Sequence, residues 1–208
     1  HDRAMNASNN MDDRKKMLQE ALMAQRQMLV DAIGKRAEDI PQAFTPYKEV
    51  LDVYDQGLEL PDDVTIIWPD DNYGYMKRLS SPKEQKRSGR SGVYYHSSYL
   101  GKPHDHLWMN TTSPTLMYEE LRKAYDLTAD RIWLLNAGDI KSCEFAVDYF
   151  LTMAFDIDSF NFERAANYRT EWLCGMLGND YRNEYQDVIN SFYKLAFARK
   201  PEFMGWGY

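Results

Sequence analysis

Three short stretches of the sequence place hydrogen-bonding side chains directly behind an apolar run. Asp70-Asp71-Asn72 follows Val64-Thr65-Ile66-Ile67-Trp68 and Pro69; His96 and Tyr99 follow Val93-Tyr94-Tyr95; Asn136 and Asp139 follow Ile132-Trp133-Leu134-Leu135. Carboxylates, amides, imidazole and phenols of this kind bind sugar hydroxyls. Two carboxyl groups flanking a glycosidic bond can cleave it, one held protonated as an acid and the other ionised. Asp and Asn also favour turns after strands, which explains any one cluster. Three clusters in succession favour a site. Among further carboxyl groups, Glu49 falls in the first turn of an expected helix, where it equally reads as a charge that favours the helix dipole. Asp2 stands ahead of the first long helical segment.

Other chemistries find less support. His104-x-His106 sits among Pro103 and Asp105, and no third ligand has a recognisable spacing, so no metal and no other cofactor is expected. Cys143 and Cys174 lack metal-type spacing and read as small buried hydrophobes. The basic run from Lys83 to Arg90 reads as a solvated loop. No glycine-rich phosphate loop or Gly-x-Ser-x-Gly elbow occurs. Asn6-Ala7-Ser8 and Asn110-Thr111-Thr112 match the glycosylation sequon, a pattern frequent by chance.

The elements that must carry these residues follow from patterning. Apolar residues Leu18, Leu22, Met28, Leu29 and Ile33 predict a helix from Met11 to about Glu38, its stripe used for packing. Thr45 followed by Pro46 predicts an N-cap and first helical position, with the helix running to about Gln56. Strands are expected at Val64–Trp68, Val93–His96 and Ile132–Leu135, and helices at Pro114–Tyr125 and Ser142–Ala154. Apolar strands alternating with helices call for a parallel sheet, and in such folds sites lie at the carboxyl ends of the strands. Past Ser159 only helical stretches remain, about Phe160–Gly178 and Asp180–Arg199, with aromatics that read as interhelical core.

Composition sets outer limits. The 208 residues hold 32 acidic and 25 basic side chains, a net charge of −7, which argues against a general nucleic-acid binder. Hydrophobic residues make up 44%, enough for a packed core. No apolar run reaches the roughly 18 residues that cross a bilayer. His1-Asp2-Arg3 at one end and Met204-Gly205-Trp206-Gly207-Tyr208 at the other read as cuts through a longer protein, with no signal peptide in this stretch.

Taken together, Trp68-Pro69-Asp70-Asp71-Asn72-Tyr73-Gly74-Tyr75, Gly92-Val93-Tyr94-Tyr95-His96-Ser97-Ser98-Tyr99-Leu100-Gly101-Lys102-Pro103 and Ile132-Trp133-Leu134-Leu135-Asn136-Ala137-Gly138-Asp139-Ile140-Lys141 resemble glycoside hydrolase family 115. Tyr47-Lys48-Glu49-Val50 and His1-Asp2 fit the same resemblance, which covers essentially the whole chain. It implies an α/β fold: the C-terminal part of a (β/α)8 TIM barrel over residues 1–156, then the start of an α-helical domain over residues 157–208. It further implies inverting hydrolysis of α-1,2-linked glucuronic acid, or its 4-O-methyl ether, from xylan. By motif, Glu49 is similar to the general acid and Asp2 to the base that activates water. Tyr47, Asp70, Asn72, His96, Tyr99 and Asn136 match positions lining the uronic-acid pocket. The implied partner is glucuronoxylan or a glucuronoxylo-oligosaccharide. The implied location is extracellular or periplasmic, and a homodimeric parent stays open. A half-barrel exposes strand edges, so the isolated chain is expected to lack normal activity. The alternative from another class is a non-catalytic carbohydrate-binding or scaffold segment of a polysaccharide-degrading protein.

Overall fold

The computed structural model describes residues 10–99 and 109–201. Helix α1 (Met11–Ile33) opens at Asn10, whose side chain accepts from the Asp12 N–H. It closes at Gly34, which takes a left-handed φ of 70° and donates to the Val30 carbonyl. Glycine adopts that conformation without a Cβ penalty, so the helix ends before the expected Glu38, and a short 3-10 turn at Ala37–Asp39 follows. Leu18 and Leu22 pack against Phe44, Val53, Leu58 and Val64, while Met28 and Ile33 stay exposed. The expected packing stripe is thus packed only along its first half.

Strands β1 (Ala43–Phe44), β2 (Thr65–Pro69), β3 (Ser91–His96) and β4 (Ala129–Asn136) form one parallel sheet in the order β1-β2-β3-β4. Three of them are the expected apolar runs, whereas β1 has only two residues and carries too little pattern to see. Helix α2 (Glu49–Asp55) joins β1 to β2, α3 (Pro114–Asp126) precedes β4, and α4 (Glu144–Phe155) follows it. Such crossovers are what parallel neighbours require.

Alternation along the strands divides the sheet into two faces. Ile66, Trp68, Val93 and Tyr95 turn to the helices and are buried with Met117, Leu121, Ala124, Tyr149, Phe150 and Met153. Tyr94 and His96 take the opposite face. Strand β4 is one edge of this sheet, and its Arg131 and Leu134 are exposed. The β3–β4 register shifts between Ser91 and Val93. There a Cβ on Gly92 would lie 2.1 Å from the Ile132 carbonyl oxygen, so the close approach needs glycine.

Helices α5 (Phe162–Leu177) and α6 (Arg182–Ala198) complete the described chain. Only part of their aromatics is core: Tyr168 and Trp172 pack against it, whereas Phe162 and Phe197 are exposed. Tyr149 meets Tyr168 at 5.0 Å and Phe145 meets Trp172 at 5.7 Å between ring centres, both edge-on. Cys143 and Cys174 are buried. The basic loop is less solvated than expected. Lys83 and Lys86 are exposed, but Arg87 donates to the carbonyls of Leu60, Pro61 and Val64, and Arg90 pairs with Asp130. Among the described residues no helix is long and apolar enough to cross a membrane.

Candidate active site

Because the four strands run parallel, their carboxyl ends share one side of the sheet, and the polar tips meet there. The β2 tip is organised by turns. Asp70 Oδ1 accepts from the Asn72 N–H at 3.1 Å and its Oδ2 from the Gly74 N–H at 3.2 Å. Asp71 Oδ1 accepts from the N–H groups of Tyr73 and Tyr75. Asn72 takes a φ of 72°, which short amide side chains tolerate, and its Oδ1 accepts from the Tyr47 hydroxyl at 2.9 Å.

The β3 tip is bound to the β2 tip. His96 Nδ1 lies 2.5 Å from Asp70 Oδ1, and the His96 N–H donates to Oδ2 at 3.2 Å. The imidazole is enclosed by phenol rings: Tyr94 at 4.5 Å, Tyr99 at 5.7 Å and Tyr47 at 6.0 Å between centres. Asn136, ending β4, donates from Nδ2 to the Tyr94 hydroxyl at 3.1 Å, and its carbonyl accepts from the Ser97 and Ser98 N–H groups. Tyr47, Asp70, Asn72, His96, Tyr99 and Asn136 are therefore brought into one constellation. Burial pushes the Tyr47 phenol up to about 12, partly opposed by the Lys48 charge, so Tyr47 is a hydrogen-bonding phenol at neutral pH.

The segment before α2 departs from expectation. The helix starts at Glu49, after Lys48 with φ 52° and no side-chain cap, not at Pro46 behind a Thr45 cap. The Tyr47 N–H instead bonds the Thr45 carbonyl at 2.9 Å. This bend delivers the Tyr47 hydroxyl to Asn72 and the Lys48 ammonium to the Tyr99 hydroxyl at 3.0 Å. A regular first turn from Pro46 would give up the positive φ at Lys48.

The sequence model of glycosyl hydrolase family 115 matches residues 1–203. The chain belongs to that family. Comparison with curated proteins gives no match. Among solved structures, the chain is similar to a protein described as a novel family GH115 4-O-methyl-α-glucuronidase with specificity for decorated arabinogalactans. The two are 41% identical with a TM-score of 0.88, over 96% of this chain and 26% of that one. The family 115 segment seen here thus spans about a quarter of that relative.

Of the two carboxyl groups the resemblance marks, Glu49 is half-exposed in the first turn of α2, next to Lys48, and its carboxylate takes no hydrogen bond from the described residues. Asp2 lies outside the described residues, as do His104 and His106. Asp139 is exposed, directly before a separate 3-10 turn at Ile140–Ser142. Among the described residues no cluster of three or more His, Cys, Asp or Glu is arranged to hold a metal ion. Two members of the constellation are not singled out by sequence reasoning, Tyr94 and Lys48. The period of two along β3 places Tyr94 beside His96 and is the signal that finds it. For Lys48 no sequence signal exists, since its place depends on the bend.

Proposed function

We propose that this chain is part of an inverting glycoside hydrolase that removes α-1,2-linked glucuronic acid, or its 4-O-methyl ether, from xylan. One observation carries the reading. Amide, imidazole and phenol groups converge at the carboxyl ends of three parallel strands in a family 115 chain whose α2 begins at Glu49, directly after Tyr47 and Lys48 of that constellation. The likeness to a 4-O-methyl-α-glucuronidase supports the uronic-acid part of it.

In this reading the sheet is the C-terminal part of a (β/α)8 barrel within residues 1–156, and residues 157–208 begin a helical domain. Glu49 donates its proton to the glycosidic oxygen as the bond to the anomeric carbon breaks. Asp2 takes a proton from the water that attacks that carbon from the opposite side. Inversion needs the two carboxyl groups about 6.5–9.5 Å apart so that the water fits. Tyr47, Asp70, Asn72, His96, Tyr99 and Asn136 form the pocket for the uronic acid. The protein works outside the cytoplasm on a polysaccharide. Among the described residues, four parallel strands with β4 open at an edge fall short of the eight that close such a barrel, and in this reading the 208-residue chain alone has no normal activity.

The test is Glu49→Gln in the whole protein that carries this segment, assayed on glucuronoxylan and on a glucuronidated arabinogalactan. Retained binding with turnover lost by at least about 100-fold fits a general acid. Unchanged turnover removes Glu49 from the mechanism, and release from the arabinogalactan alone replaces xylan as the substrate.

A further inference from the structure

We infer that Asp70 is a positioning residue that acts through His96, holding hydrogen on Nδ1 and turning Nε2 toward the ligand, and does not itself touch the sugar. This rests on the glucuronidase reading only for the nature of the ligand. The resemblance implies that Asp70 lines the pocket, but its carboxylate is already fully engaged by the protein. A carboxylate offers about four acceptor positions, and four are taken. Oδ1 receives the Asn72 N–H and His96 Nδ1, while Oδ2 receives the Gly74 and His96 N–H groups. No lone pair is left for a sugar hydroxyl.

The same bonds define the imidazole. Three backbone N–H groups point at the Asp70 carboxylate, so the fourth contact, at 2.5 Å, is completed by a hydrogen on Nδ1. A ring nitrogen's partner sets the tautomer, which leaves Nε2 as the ring nitrogen that Asp70 does not use. Nε2 has no partner among the described residues. The rings around the imidazole are themselves tied down, Tyr47 by Asn72, Tyr94 by Asn136 and Tyr99 by Lys48. One buried carboxylate thereby fixes both the Asn72 turn on β2 and the imidazole on β3.

Selective 15N labelling of histidine, in the whole protein that carries this segment, tests this directly. The His96 signals are assigned with His96→Gln, and two-bond proton–nitrogen correlation reads the tautomer. Wild-type protein without ligand shows Nδ1 protonated, and Asp70→Asn shifts His96 toward the Nε2–H form while lowering kcat/KM by about 100-fold. An Nε2–H tautomer in the wild type, or an unchanged tautomer in Asp70→Asn, overturns the positioning role. The wild-type spectrum is informative even if the variant fails to fold. Added D-glucuronic acid moves the Nε2 resonance. If the tautomer is as stated but the resonance is unmoved, the positioning role stands and the uronic-acid reading fails.

Discussion

Glu84 offers a quantitative test of how the β2 tip is held. Its carboxylate accepts from Arg78 Nη1 at 2.9 Å and Nη2 at 2.7 Å, from the Tyr54 hydroxyl at 2.8 Å and from the Ser81 N–H at 2.7 Å. Arg78 in turn lies 4.4 Å over the Trp68 ring, one residue before Pro69 and Asp70. Burial alone raises the Glu84 carboxyl, but hydrogen bonds from Arg78, Ser81 and Tyr54 prevail and lower it from 4.5 to about 2. At about 1.4 kcal/mol per pH unit, that shift is worth about 3 kcal/mol of stability at neutral pH. The Glu84 side chain is 12% exposed and that of Arg78 25%, and the resulting screening reduces the figure to about 2 kcal/mol. Because the folded value lies below the unfolded one, the contribution is complete above the unfolded value. It declines as pH falls toward about 2. Urea unfolding of wild type and Glu84→Gln at pH 7 and pH 3 measures it. The variant is expected to be about 2 kcal/mol less stable at pH 7, with less than half that gap left at pH 3. A gap under about 0.5 kcal/mol at pH 7, or one that does not shrink on acidification, refutes the reasoning.

Two further substitutions test the close contacts. Gly92→Ala drives a methyl to 2.1 Å from the Ile132 carbonyl oxygen, a backbone atom within the sheet. A loss of about 2 kcal/mol or more is expected in urea unfolding, and a neutral result would show that the β3–β4 approach is looser than described. Tyr47→Phe removes the 2.9 Å bond to Asn72. Its loss should cost about 1 kcal/mol in urea unfolding and lower kcat/KM on a uronoside by loosening the Asn72 turn, whereas unchanged kinetics would take Tyr47 out of the pocket.

What the sequence made legible follows the strength of local physics. Val64–Trp68, Val93–His96 and Ile132–Leu135 are continuous β-forming runs, and they lie within or beside β2, β3 and β4. β2 reaches one residue further, through Pro69, because the Asp70 N–H still bonds the Tyr94 carbonyl at 3.1 Å. Ser113 caps α3 through its side chain, with Pro114 at the first helical position, where the helical spacing begins. The cap signal read at Thr45-Pro46 misleads, because tertiary contacts of Tyr47 and Lys48 favour a bend over an early helix start. Strand β1 is held by its register with Thr65 and Ile66, which no property of Ala43-Phe44 announces. At the site, the clustering of strand tips follows from a parallel sheet. The burial of Asp70 does not, since an Asp behind a Pro-terminated strand reads as an exposed turn.

The central claim is an inverting uronic-acid hydrolysis in which Glu49 is the acid. Its most direct measurement follows the anomeric configuration of sugar released from glucuronoxylan, by proton NMR in the first minutes of reaction. The whole protein is compared with its Glu49→Gln variant. The account predicts β-configured glucuronic acid, or its 4-O-methyl ether, from the wild type and no release above background from the variant. An α-configured first product, or release by Glu49→Gln at the wild-type rate, contradicts it.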